Sequence, residues 1–207
     1  MGLLKNKIAS SVQDGIQAVT QLQTDNNLAF IENCAHMICR CFERGGKLLI
    51  AGNGGSLCDA MHFAEELSGQ FRGKRPALAA IALSDIGHMS CVANDMGYDQ
   101  VFSRGIEALG RQEDLFIALT TSGNSANLFQ AVRAAQVKNM ETISFLGKTG
   151  GMLKGMCDLE LVIEGFCFSD RIQEAHMTAI HIIIEMVEEV LFNSPSKIEK
   201  VALAHVF

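Results

Sequence analysis

The chain has 207 residues, of which 48% are apolar and 19% charged, a composition typical of a folded globular protein. No apolar run approaches the ~20 residues that a membrane-spanning helix needs, and the first residues lack the apolar core of a secretory signal. The net charge of -6 argues against nucleic acid as a partner. A small phosphorylated ligand is still compatible with it, because backbone N–H groups can hold one phosphate without any positive charge.

The cysteines indicate the redox compartment. There are seven of them, scattered along the chain and without a Cys-x-x-Cys pair. An odd number without metal-site spacing favours reduced thiols over a disulfide framework. We therefore expect a cytoplasmic protein.

Two helices are predicted at the start of the chain. Apolar residues recur at helical spacing over residues 3–23 and again over residues 27–44. Gly45 and Gly46 follow the second stretch, as is typical of a helix C-terminus.

An alternation of strands and helices is predicted next. Short apolar runs at 47–51, 77–83, 114–120, 141–146 and 159–163 are separated by helical stretches at about 56–70, 86–109, 125–139 and 152–156, and a long helix follows at about 169–192. Strands that are apolar throughout and alternate with helices indicate a parallel sheet covered on both faces. The predicted fold class is α/β, a three-layer αβα sandwich with a five-stranded parallel sheet and extra N-terminal helices. We expect the helices to occupy residues 1–45, the αβα domain 46–193 and a C-terminal tail 194–207.

In such a sheet, ligands bind at the carboxyl ends of the strands, and three loops there carry unusual residues. Asn53-Gly54-Gly55 follows the first strand and allows close backbone approach, although any tight strand–helix turn could use such a loop. The segment 120–125, with four hydroxyl side chains and a glycine, leads into a helix N-terminus, which favours an anion. Simple capping is the alternative, but it needs only one hydroxyl. Asn94-Asp95 lies near the same edge and by itself would be interpreted as a turn.

Two predicted helices carry candidates for acid, base and metal chemistry. His62 and Glu66 are four residues apart and share one helix face, which suits two ligands of one metal ion. A solvated polar face is the alternative. His181 stands in an apolar run, either as a buried structural histidine or as an imidazole placed for proton transfer.

Gln173 and His181 pose a geometric problem, because eight residues of helix correspond to a rise of ~12 Å. One regular helix could not point both side chains at one metal ion. If both are ligands, either Gln173 lies outside the regular helix or the two residues come from different subunits.

Several segments of the chain resemble the phosphoheptose isomerases, a family within the sugar-isomerase (SIS) domain superfamily. The resemblance extends over about residues 28–192, and its most specific segments are GNGGSLCDAMHFAEELSG, SDIGHMSCVANDMGYDQVFSR, TSGNSAN and DRIQEAHM, with His181 downstream. It implies a flavodoxin-like SIS domain that assembles into a homotetramer with active sites shared between subunits, which would resolve the problem of Gln173 and His181.

The resemblance also implies residue roles. Glu66 and His181 would be the catalytic proton-transfer pair. One zinc ion per active site would be bound by His62, Glu66, Gln173 and His181. The implied substrate-binding residues are Asn53, Gly54, Gly55, His62, Glu66, Asn94, Asp95, Thr120, Thr121, Ser122, Ser125 and Gln173.

The reaction implied by the resemblance is an aldose–ketose isomerisation. It converts sedoheptulose 7-phosphate into D-glycero-D-manno-heptose 7-phosphate, the first step towards ADP-heptose and the bacterial lipopolysaccharide core. Two alternatives stay open. Non-enzymatic SIS proteins that bind the replication initiator resemble this chain but lack the full set of acid, base and metal residues. An isomerase or regulator for another sugar phosphate is the other alternative, and such regulators usually carry a DNA-binding segment that is not seen here.

Overall fold

Five parallel strands form the centre of the fold. The computed structural model describes residues 2–193, and its sheet has the order β2-β1-β3-β4-β5 with every neighbouring pair parallel. The strands are β1 (Leu48–Gly52), β2 (Ala80–Ala82), β3 (Leu115–Thr120), β4 (Glu141–Gly147) and β5 (Leu159–Ile163). This order is that of flavodoxin-like sheets. The predicted fold class is therefore confirmed.

The strands are apolar throughout because both faces of the sheet are covered by helices. Along β1, Leu48 and Ile50 pack in one apolar core, whereas Leu49 and Ala51 pack in the core on the opposite face. The first core is covered by α2 (Asp25–Glu43), α3 (Gly55–Ser68) and α7 (Ser169–Glu188). The second is covered by α4 (Ile86–Asp95), α5 (Val101–Leu109) and α6 (Ala126–Val137).

The leading helix α1 (Gly2–Thr20) lies outside these layers and packs on α7. Along α1, four apolar side chains at a spacing of four residues are each more than half exposed: Leu4, Ile8, Val12 and Ile16. After α1, the side chain of Gln21 docks on the end of β5, where its amide donates to Glu164 O at 2.8 Å and accepts from Glu164 N at 3.0 Å. The described part of α1 therefore presents an apolar stripe to its surroundings.

Three predicted elements differ from the structure. The helical stretch predicted at 86–109 is interrupted between α4 and α5, where Gly97 has a φ of 95° and a short 3-10 helix, Tyr98–Gln100, follows. The helix predicted at 152–156 is only a 3-10 turn, Gly151–Leu153, and the second strand is shorter than predicted. Periodicity does not register glycines in left-handed backbone, which interrupt the two predicted helices. The predicted tail, 194–207, lies outside the described residues.

The loop that follows β3 depends on Gly123, which has a φ of 67°. A Cβ atom at this position would lie 1.8 Å from Gly150 O, on the loop that follows β4. Backbone cannot move away as a flexible side chain would, so only glycine fits here. Gly165 has a similar φ of 86°, but a Cβ atom there would meet nothing within 4 Å.

This contrast predicts different costs for two alanine substitutions. Gly165→Ala should lower the free energy of unfolding by about 1 kcal/mol, the cost of a left-handed alanine. Gly123→Ala adds a backbone clash and should lower it by about 3 kcal/mol or more. Chemical denaturation of both variants measures the difference. Equal losses would show that the loops after β3 and β4 are not held in this contact.

Candidate active site

A polar cavity lies at the carboxyl ends of β1 and β3. Its volume is about 270 Å³. Three helices begin at its wall, because α3 starts at Gly55, Ser125 precedes α6, and α7 starts at Ser169. The cavity is lined by Asn53, Gly55, Ser56, Leu119, Thr120, Thr121, Ser122, Ser125, Ser169 and Gln173. Helix N-termini carry free N–H groups and partial positive charge, so the cavity is suited to an anion.

The hydroxyl groups of the cavity hold one another in place. Thr120 Oγ1 lies 3.2 Å from Ser125 Oγ and accepts from the backbone N–H of Gly123. Thr121 Oγ1 donates to Ser169 Oγ at 3.0 Å, which joins the loop after β3 to the start of α7. Ser125 makes no side-chain capping bond to α6. Simple capping therefore does not account for the hydroxyl groups of this loop.

His62, Glu66 and His181 meet between α3 and α7. His62 Nε2 lies 3.1 Å from Glu66 Oε1, and His181 Nε2 lies 3.7 Å from Glu66 Oε2. The side chain of Glu66 is 14% exposed, whereas those of His62 and His181 are 43% and 38% exposed. One ligand atom from each of the three residues lies within 4.8 Å of the others, close enough to hold one metal ion. We call these three residues the His-Glu-His cluster.

The donor set fits a metal ion. Two imidazoles and one carboxylate are ligands typical of catalytic zinc, which takes three protein ligands and keeps a position open. Glu66 Oε2 is buried and has no hydrogen-bond partner. Because a buried carboxylate oxygen without a partner is costly, this atom is suited to a cation at the centre of the cluster.

Neighbouring side chains hold the His-Glu-His cluster. The ring of Phe71 stacks on His181, with centroids 6.0 Å apart and planes 20° apart. Arg75, whose side chain is 4% exposed, donates to Glu66 O at 2.5 Å and to Leu67 O at 2.7 Å. Its guanidinium also pairs with Glu188 of α7 at 2.7 Å. The end of α3 that carries Glu66 is therefore attached to the helix that carries His181.

Gln173 lies in the cavity and not in the cluster. Its Nε2 is 3.4 Å from Ser56 Oγ, and its side chain occupies the space beside Gly55. Gln173 and His181 both belong to the regular helix α7, two turns apart. The possibility that Gln173 lies outside the regular helix is thus wrong, and a ligand role for it requires a second copy of the chain.

Of the other predicted site residues, some line the cavity and some do not. Asn53, Gly55, Thr120, Thr121, Ser122 and Ser125 line the cavity. Gly54 precedes α3 with a φ of 56°. Asn94 and Asp95 form the exposed end of α4, where Asn94 Nδ2 donates to Asp95 Oδ1, and they do not line the cavity in the described chain.

Comparison with known proteins decides the family. Residues 10–147 match the SIS domain family. The chain is 53% identical to the phosphoheptose isomerase of Vibrio vulnificus over 81% of this chain and 88% of that one, and 48% identical to that of Vibrio parahaemolyticus over 90% and 98%. The structure of a phosphoheptose isomerase from Francisella tularensis superposes with a TM-score of 0.84 at 34% identity, over 91% of this chain and all of that one. The chain belongs to the phosphoheptose isomerase family.

This member of the phosphoheptose isomerase family is an enzyme. Near its cavity and its His-Glu-His cluster lie further polar residues that no sequence pattern singled out. Ser169 contributes to the cavity, and Asn127 and Tyr98 contact Asn53 from behind it. Asp59 lies one turn before His62 on α3, its Oδ2 is buried without a partner, and burial raises its pKa to about 6 despite the nearby His62. The i, i+3 spacing of Asp59 and His62 was the sequence signal that could have identified Asp59 as a site residue.

No helix among the described residues is long and apolar enough to span a membrane.

The structural histidine of α7 is His176 and not His181. It is fully buried, its Nε2 lies 2.9 Å from Leu146 O, and its ring packs edge-on against Phe145. Because Leu146 O can only accept, Nε2 carries the proton, and Nδ1 is buried without a partner. Burial lowers the pKa of His176 to about 4.

The lowered pKa of His176 predicts a pH-dependent loss of stability. Between pH 6.5 and about 4 the unfolded chain binds a proton at this residue that the folded chain does not, so stability falls as the pH falls. At pH 4 the loss should be about 3 kcal/mol. His176→Gln keeps a donor for Leu146 O and cannot titrate. Urea unfolding of both proteins across this range should show the extra loss only in the wild type, and parallel profiles would contradict the assignment.

Proposed function

We propose that the enzyme converts sedoheptulose 7-phosphate into D-glycero-D-manno-heptose 7-phosphate in the cytoplasm, as the first step towards ADP-heptose and lipopolysaccharide core. One observation carries the proposal. The helices α3 and α7 both begin at an anion-binding cavity, and both carry members of a His-Glu-His cluster about two to three turns further on. Isomerisation of a sugar phosphate needs both features, since the cavity holds the phosphate and the His-Glu-His cluster acts on the carbonyl end of the sugar.

The phosphate group binds in the cavity. Thr120, Thr121, Ser122 and Ser125 surround it with hydroxyl groups, and the N-termini of α3, α6 and α7 add their dipoles. Asn53, Gly54, Gly55 and Gln173 contact the substrate from the α3 side, and Asn94 and Asp95 form a second substrate loop. Binding energy from the phosphate positions the distant reacting carbons.

The chemistry moves a carbonyl between C2 and C1 through an enediol. Glu66 removes a proton from one carbon and delivers it to the neighbouring carbon, while His181 exchanges protons with the sugar oxygens. The partly buried position of Glu66 supports the first role, and the imidazole of His181 beside it supports the second.

One zinc ion per active site is proposed at the cluster. His62, Glu66 and His181 would hold it, with Gln173 of a neighbouring copy as a fourth ligand. When bound, the ion would act as a Lewis acid that polarises the carbonyl and stabilises the enediolate. Glu66 Oε2, which is buried and makes no hydrogen bond, supports this assignment.

The active enzyme is proposed to be a homotetramer with shared active sites. Gln173 faces the cavity two turns away from His181 in the same chain, so a second copy has to supply one of them. The apolar stripe on α1 supports assembly, because a soluble chain rarely leaves such a stripe exposed. The division into helices 1–45, SIS domain 46–193 and tail 194–207 stays a prediction, since the family match spans residues 10–147.

The alternatives receive less support. A non-enzymatic SIS protein needs no acid–base set, whereas the described chain brings one ligand atom each of His62, Glu66 and His181 within 4.8 Å of one another. An isomerase for another sugar phosphate would use the same cavity and cluster. Turnover with sugar phosphates of different length separates that alternative from the proposed substrate.

The role of Glu66 predicts the effect of a conservative substitution. Glu66→Gln keeps the shape of the side chain but cannot accept a proton, so turnover of sedoheptulose 7-phosphate should fall by roughly 100-fold or more. Glu32→Gln is the matched control, because Glu32 is an exposed glutamate on α2. A coupled assay for the aldose product measures both. Equal turnover in the two variants would remove Glu66 from the mechanism.

The zinc assignment predicts a loss of metal affinity. His62→Ala removes one ligand and should weaken zinc binding by about 100-fold or more, since even outer-shell changes weaken it by 10- to 100-fold. His36→Ala is the control, because His36 is an exposed histidine on α2. Competition titration against a zinc indicator measures the affinities. Equal affinities for both variants would place the metal elsewhere.

A further inference from the structure

Asn127 is a buried polar residue whose side chain pairs with a residue of the active-site cavity. It belongs to the first turn of α6 and is 3% exposed. Its amide pairs with that of Asn53, which is 74 residues away in sequence and lines the cavity. Asn53 Nδ2 donates to Asn127 Oδ1 at 2.9 Å, and Asn127 Nδ2 donates to Asn53 Oδ1 at 2.9 Å.

The backbone decides which way the amide of Asn127 points. The N–H of Leu128 lies 2.9 Å from Asn127 Oδ1. An N–H group can only donate, so the oxygen of Asn127 has to face it, and the opposite orientation would set two donors against each other. The orientation of Asn127 in turn requires Asn53 to direct its oxygen at Asn127 Nδ2.

The acceptor of Asn53 is then fully used. Asn53 Oδ1 accepts from Asn127 Nδ2 and also from the hydroxyl of Tyr98 at 3.1 Å. Two donors occupy the two lone pairs of an amide oxygen. One of the two N–H bonds of Asn53 Nδ2 is directed at Asn127, which leaves the second as the only group that this amide can offer to a ligand.

We infer that Asn127 is a positioning residue that holds Asn53 in the cavity as a hydrogen-bond donor. The oriented N–H selects a substrate oxygen that accepts, as phosphate and carbonyl oxygens do, and it cannot serve a group that only donates. This inference rests on the proposed function for the identity of the ligand. The orientation itself rests only on the bonds among Leu128, Asn127, Asn53 and Tyr98.

The same hydrogen bonds join three segments of the chain around the site. Asn53 follows β1, Asn127 follows the hydroxyl-bearing loop after β3, and Tyr98 lies between α4 and α5, three residues beyond Asp95. Asn127 is buried and Asn53 is half-buried, and hydrogen bonds among partly buried polar groups make the segments that they join rigid. Asn127 therefore couples the loops on both sides of the cavity.

Asn127→Asp is the sharpest test, because it changes one group only. The aspartate keeps the shape and still accepts from Leu128 N and Asn53 Nδ2, but it no longer donates to Asn53 Oδ1. We expect KM for sedoheptulose 7-phosphate to rise about 10-fold and kcat to change less than about 3-fold, because ground-state binding is lost while Glu66 and His181 are untouched. Asn33→Asp, an exposed asparagine on α2, controls for the added charge and should change neither constant.

A double-mutant cycle separates positioning from a merely structural role. If Asn127 acts through Asn53, then Asn127→Asp should add nothing to KM in an Asn53→Ala background. Additive effects on KM would overturn the inference, and so would an unchanged KM in Asn127→Asp. Tyr98→Phe removes the second donor from an exposed ring and should raise KM by about 3-fold, which keeps the test decisive if Asn127→Asp does not fold.

A crystal structure of Asn127→Asp provides a readout that does not depend on turnover. The side chain of Asn53 should rotate away from the new carboxylate or lose its contact with Tyr98. An Asn53 that stays in place would overturn the inference whatever the substrate is. Failure of the wild type to turn over sedoheptulose 7-phosphate would instead contradict the proposed function and leave this structural test standing.

Discussion

The parallel pairing of β1, β3, β4 and β5 is the constraint on which the site depends. Parallel strands end at the same edge of the sheet, and the helices α3, α6 and α7, which follow β1, β3 and β5, start at that edge. The N-termini of α3, α6 and α7 consequently meet around one cavity, although their residues are far apart in the chain. The positive ends of three helix dipoles explain how a chain with a net charge of -6 can offer an anion site that no lysine or arginine lines.

The same geometry separates binding from chemistry. Since α3 and α7 run side by side away from the cavity, side chains further along them meet at a second place, where Glu66 lies between His62 and His181. The buried pair of Arg75 and Glu188 keeps the two helices in this relation. A buried ion pair of this kind contributes little net stability over an apolar pair, but loss of one partner leaves an uncompensated charge. The pair of Arg75 and Glu188 matters because it holds Glu66 in position beside the two histidines.

Hydrogen-bond direction matters in the site as much as distance does. The N–H of Leu128 orients Asn127, which orients Asn53, and Leu146 O determines the tautomer of His176. In each case a backbone group that can only donate, or only accept, decides the orientation or the tautomer of a side chain that can do both. At Asn53 such a group determines which atom the cavity offers to a ligand, without a charged residue among those that line it.

The sequence by itself determined the fold class and most of the candidate residues. Short apolar runs and the period of 3.6 residues are local patterns, so the five strands, the leading helices and the i, i+4 pair of His62 and Glu66 followed directly from the sequence. The hydroxyl-rich segment after β3 was recognisable because four hydroxyl groups exceed what a cap needs. Local patterns could not register the glycines that shorten the elements around Gly97 and Gly150.

Only the tertiary structure decided which of these residues meet. His181 lies beside His62 and Glu66, whereas Gln173 on the same helix lines the cavity. The two side chains of α7 are separated because about two turns of helix lie between them. Burial distinguished the structural His176 from the partly exposed His181, although it is His181 that stands in the apolar run of the sequence. Asn127 ends the segment TSGNSAN, but no pattern in the sequence assigned it a role. Its role arises from a contact between residues 74 positions apart, and contacts of that kind exist only once the sheet has formed.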